Sequence, residues 1–152
     1  MILESLLAYA HILLILSLVV FSSSEAALCR TEWLNAKIVE RLVTVDRIYG
    51  ITAVGVLLTG LARTWWGVKG AAFYWTNGLL HLKLGLFIAV ALMSIKPTLM
   101  FIRWRRQLRS DGRLPGEAEI RQARRWVMVQ AHIVALIPLA AVFMARGYGS
   151  PP

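Results

Sequence analysis

Two nitrogen bases stand where the chain is otherwise apolar: His11 in YAHILLI and Lys83 in HLKLGLF. A lysine inside hydrocarbon costs a few kcal/mol on insertion scales, so it normally faces a bundle interior, a cavity or a partner. In their neutral forms an imidazole and an amine each present a lone pair to a metal, and a haem held between two helices takes one axial nitrogen from each. His81 lies two residues before Lys83 and points about 200° away from it around a helix, so the two cannot face one partner. Lys83 is assigned to the interior; His81 is amphipathic enough to reach interfacial water at the rim, with a ligand role as the alternative. The bland readings are that Lys83 pairs with a carboxylate or backbone carbonyls to fix packing, and that His11 and His132 are hydrogen-bonding groups between helices. A second polar group, Glu25 with Arg47 or His132, reads as a buried ion pair or the start of a proton pathway.

These residues need helices in lipid to position them. The chain has 152 residues and is 58% hydrophobic, against about 45 to 50% in soluble domains. Its charge of +9 rests on 17 Lys and Arg against 8 acids. The bases cluster between apolar runs, which points to anionic lipid headgroups rather than nucleic acid as their partner. One cysteine, Cys29, excludes an intramolecular disulfide and a cysteine metal cluster.

Four apolar segments, each near the length of about 20 residues that crosses a bilayer, are expected at about 3–28, 46–62, 75–96 and 126–145. The reading is a single transmembrane domain over 1–152, an all-α integral membrane four-helix bundle with basic loops at 29–45 and 97–125. The first segment is read as a retained helix and not a signal peptide, because Met1 to Glu4 carries an acid and no base. The linker after it is expected to hold a short interfacial helix leaning on Trp33 and Ile38. Gly50, Gly55 and Gly60 mark the second segment as a packing helix without defining one clean face. Trp65, Trp66, Phe73, Tyr74 and Trp75 read as an interfacial belt. Pro97 is expected to kink the third helix, and the tail from Arg146 to Pro152 to be loose.

Charge asymmetry sets orientation. The stretches around 29–47 and 96–125 hold thirteen Lys or Arg, and the remaining non-helical stretches three. The positive-inside rule then places both termini and the Trp-rich loop outside the cytoplasm. Counted from the outer ends of their segments, His11 and Lys83 lie at one depth, roughly 12 Å down, with His81 at roughly 9 Å. His132 enters from the opposite side.

His11 in YAHILLI and His81-Leu82-Lys83-Leu84 at the start of a later helix resemble the HemJ-type protoporphyrinogen oxidases of bacteria. That resemblance implies b-type haem bound through a first-helix histidine and the lysine of the HxKL stretch, here His11 and Lys83. The last helix departs from that group: its Asn-Glu pair is missing, and Arg125 leads instead to Gln130, Ala131 and His132. Over nearly the full chain, DRIYG, TGLAR, KGAAFYW, KLGLF and PTLMFIRWRR resemble an uncharacterised bacterial family of four-helix membrane proteins, domain of unknown function 2214. The leading expectation is a haem b redox protein exchanging electrons with quinone, porphyrin or another membrane carrier, an oxidoreductase in class. A non-enzymatic accessory subunit, which a second copy of the chain could join, and a small proton-coupled transporter are the alternatives.

Overall fold

The computed structural model describes residues 1–149, and among these every regular element is helical: α1 Ile2–Leu28, α2 Ala36–Trp66, α3 Gly70–Thr76, α4 Gly78–Asp111 and α5 Glu117–Ala145. Four of the five, all but the seven-residue α3, are long and apolar enough to cross a membrane. α1 packs mainly on α2 and α4 on α5, and the two hairpins meet through α1–α5 and α2–α4 contacts. The apolar outer flanks, Leu16 and Val20 on α1, Leu58 on α2, Leu92 on α4 and Leu139 on α5, stay exposed. That distribution suits a bundle whose solvent is lipid.

The helices outrun the apolar segments, because apolarity marks what lies in hydrocarbon whereas caps and breakers decide where a helix ends. The expected interfacial helix does not form separately. Asn35 accepts the Ile38 amide at 3.0 Å and starts α2 at Ala36, ten residues before the apolar run, with no Gly or Pro until Gly50. Trp33 sits instead in a turn under the Arg30 guanidinium, 5.1 Å from its ring. Of the expected loop 97–125 only 112–116 is non-helical, bounded by Gly112 with a left-handed φ of 68° and by Glu119, which accepts the Gly116 amide at 3.1 Å.

The third segment is broken rather than continuous at its start. Asn77 accepts the Leu79 amide at 2.9 Å and caps α4, leaving Trp75 on α3. The tail is docked, not loose, as far as it is described. Gly147 and Gly149 adopt positive φ and turn the chain back. The Tyr148 carbonyl accepts the Asn77 amide group at 3.1 Å, and the Gly149 carbonyl accepts Gly78 N–H at 3.2 Å. The rest of that tail, 150–152, lies outside the described residues.

Two buried clusters fill the bundle. One, at the basic end, gathers Cys29, Val39, Leu42, Phe101, Trp104, Ala123 and Val127; the other joins Leu18, Tyr49, Val56, Val90 and Val134 across all four long helices. Pro97 is buried within α4, which continues through it. Having no N–H, it cannot bond the Met93 carbonyl four residues back. The Gln130 side chain of α5 donates to that carbonyl at 3.3 Å, as lipid requires of any freed backbone group.

Replacing Gln130 with Leu is expected to cost about 1 kcal/mol in reversible unfolding from detergent micelles, the scale of interhelical hydrogen bonds in membranes. In a Pro97→Ala background, where the carbonyl regains its own amide, the loss should shrink. Burial pushes the Cys29 thiol up to about 12, which keeps it in the unreactive thiol form. Maleimide at pH 8 should leave folded protein unlabelled and label it fully after denaturation.

Candidate functional site

Four helices each contribute one stripe to a hollow in the half of the bundle that carries the chain termini. The stripes are His11, Ile15 and Leu18 on α1, Leu80, Lys83, Leu84 and Phe87 on α4, and Val134, Ile137, Pro138 and Ala141 on α5. Their spacing of three, four and seven is one helix face. α2 adds Val56, Leu57, Gly60, Leu61 and Thr64. About 700 Å³ is left unfilled by atoms, part of it open at the side, and about 80 Å³ of this admits the centres of water molecules. The part that admits water has room for a few waters and is smaller than typical small-molecule sites.

Glycine lets α1 come close to α2 here. A Cβ at Gly60 would stand 3.1 Å from His11 Cε1, and one at Gly55 3.1 Å from Leu14, whereas Gly50 meets nothing within 4 Å. Two of the three glycines therefore serve a single contact.

Hydrogen bonds fix the His11 ring. Its Nδ1 lies 2.7 Å from Thr59 Oγ1, and the Thr59 hydroxyl donates its one proton to the Gly55 carbonyl at 2.7 Å. With that proton on the carbonyl, Oγ1 accepts from the ring, which is the Nδ1–H tautomer with the lone pair on Nε2. A second partner setting the tautomer is how ligating histidines are usually prepared.

Lys83 is half-buried and lines the same hollow. It makes no side-chain hydrogen bond and no ion pair among the described residues. A third base, Arg63, stands near both. Its Nη2 reaches Glu4 at 3.9 Å, while its buried Nε has no partner.

His81 is exposed. Its Nε2 donates to the Trp75 carbonyl at 2.9 Å, and its ring lies 6.3 Å from that of Trp75. Trp75 in turn packs edge-on to Trp65 at 5.5 Å, so His81 belongs to the aromatic rim and not to the hollow.

The proposed cluster of Glu25 with Arg47 or His132 does not assemble. Arg47 is exposed, and the exposed His132 donates Nδ1–H to the Met128 carbonyl of its own helix at 2.6 Å. Glu25 is buried instead against Asp46, which accepts Thr98 Oγ1 at 2.9 Å. Because α2 starts at Ala36, Asp46 lies in its third turn, inside the bundle, and Arg47 points about 100° away.

From sequence, Thr59 and Gly60 are read only as packing residues, and Arg63 is given no part in the site. A membrane threonine or glycine reads as a packing group, and Arg63 as a flanking base. The available signal was their spacing of one helical turn along TGLAR, which puts Thr59 and Arg63 on one side of α2.

A family model described as a predicted membrane protein, DUF2214, matches residues 3–149. The chain belongs to that family. No curated protein and no solved structure matches it.

The Nδ1–H tautomer is the less common one for a free imidazole, so the Thr59 contact has a spectroscopic signature. In ¹⁵N-histidine NMR spectra His11 should show a protonated Nδ1 and an unprotonated Nε2. Thr59→Val, which removes the acceptor at constant shape, should abolish that pattern while leaving His132 unchanged.

Proposed function

We propose that this DUF2214 member is a membrane haem protein. His11 and Lys83 would hold b-type haem through its iron in the hollow between α1, α2, α4 and α5. The protein exchanges electrons with a lipid-soluble carrier such as quinone or porphyrin. The observation that carries the reading is that His11, its Nδ1 held by Thr59, lines the same hollow as Lys83.

The donor set suits the group. An imidazole and an amine from different helices supply two nitrogens, the walls are apolar, and the unpartnered Arg63 Nε suits a carboxylate such as the porphyrin periphery carries. When bound, haem supplies one-electron redox chemistry. The chain's own part is to hold His11 through Thr59, to shield the pocket with Phe87 and Leu84, and to offset peripheral acid charge with Arg63. The base asymmetry supports placing the basic end in the cytoplasm of a bacterial inner membrane, which puts the hollow in the outer half of the bilayer.

The alternative of a structural accessory subunit draws on the small enclosed volume, about 80 Å³. There a few waters would solvate Lys83, and no cofactor would enter. Absorption spectra separate the two. Protein produced with ample haem should show a Soret band that His11→Ala and Lys83→Ala abolish or shift and that Lys37→Ala, at the exposed basic end, leaves alone. A colourless wild-type protein, or a band indifferent to both ligand variants, overturns the haem reading.

A further inference from the structure

A second polar site lies deeper toward the basic end, apart from the hollow. Glu25 on α1 is 3% exposed and Asp46 on α2 is 8% exposed. Their carboxyl groups stand side by side, and Thr98 of α4 donates to Asp46 Oδ1 at 2.9 Å. Ionised carboxylates have no proton to donate and repel one another, so such a contact is attractive only with a proton between them.

Among the described residues no base takes up the charge of the pair. Arg47 is exposed. Arg124 of α5 donates Nη1 to the carbonyls of Ala26 at 2.8 Å and Cys29 at 3.4 Å, and Lys96 of α4 places its Nζ over the Trp126 ring at 4.8 Å. The other titratable neighbours are Cys29 and Tyr49, whose usual forms near neutral pH carry no charge. Among the described residues no group of three His, Cys, Asp or Glu is able to hold a metal ion.

An independent feature points to the same place. Tyr49, three residues beyond Asp46 on the same face of α2, is 4% exposed, and its hydroxyl has no hydrogen-bond partner. It stands beside both acids. Glu25 Oε1 is likewise buried without a partner. An orphaned hydroxyl next to a carboxyl pair that itself carries an orphaned oxygen is a means of passing a proton in or out, since each recovers a hydrogen bond when the proton shifts or a water bridges them.

We infer that Glu25 and Asp46 form a proton-binding site that holds one shared, exchangeable proton inside the membrane, with the Tyr49 hydroxyl as its exchange partner. In this exchange the pair gives up one proton and regains one, with no change of oxidation state. The inference does not rest on haem binding.

Infrared spectroscopy of the full chain in lipid nanodiscs at neutral pH tests it. Wild-type protein should show the carbonyl band of one protonated carboxylic acid per chain, shifting on transfer to D₂O. Glu25→Gln and Asp46→Asn, both isosteric, should each remove the band, while Glu4→Gln should not. Tyr49→Phe should keep the band and slow its shift at least severalfold. Absence of the band in wild type, or its persistence in both acid variants, overturns the site; if one acid variant fails to fold, the other and the wild-type spectrum still decide. A Tyr49→Phe shift as fast as wild type overturns the part assigned to Tyr49.

Discussion

Hydrocarbon offers no hydrogen bonds, so each polar group that enters the bundle must find its partner within the chain or keep contact with water. Much of the specific geometry follows from that. Thr59 bonds back to Gly55 and Thr64 to Leu61. Arg124 reaches the free carbonyls at the end of α1, and Lys69 the carbonyl of Ala145 at the end of α5. Pro97 shows the rule most plainly, because the carbonyl it strands is met by a side chain of a different helix. Among the described residues the exceptions are Lys83, without a bond, and Arg63 Nε near the hollow, Glu25 Oε1 and the Tyr49 hydroxyl near Asp46, and Trp104 Nε1 and Gln107 Oε1 further toward the basic end.

Close approach is the second constraint, and it acts through α2. Gly55 and Gly60 bring α1 near enough for Leu14 and the His11 ring to touch the α2 backbone surface. The same approach delivers His11 to Thr59. The packing contact and the orientation of the ring are thus one arrangement, and a side chain at Gly60 would disturb both.

Four membrane segments and an all-α bundle were legible in the sequence because about 20 apolar residues have few other uses. The meeting of His11 and Lys83 was also legible, from depth alone, even though the depth count began at Trp75 and α4 begins at Gly78. Helix ends were not, since charged residues such as Arg103, Arg109 and Arg121 continue a helix readily when acids answer them. Here Glu119, Glu40 and Glu117 do so at 3.1, 2.8 and 3.0 Å. Misjudging the start of α2 hid the Glu25–Asp46 contact, because Asp46 looked like a helix opener at the surface. Thr59 was hidden for another reason: its role depends on where its single proton goes, and only the neighbouring carbonyl decides that.

The fastening of the tail onto Asn77 bears on which base the hollow contains. Tyr148 and Gly149 grip the first residues of α4, and a Cβ on Gly149 would collide with Asn77 and Leu79 at 2.8 and 2.9 Å. Lys83 lies only about one and a half turns further along. Were α4 free to roll about its long axis, a half-turn would exchange Lys83 for His81 at the wall of the hollow. The clasp at the chain's end works as an angular lock, so the choice between a soft aromatic base and a hard aliphatic one is set some residues away from either.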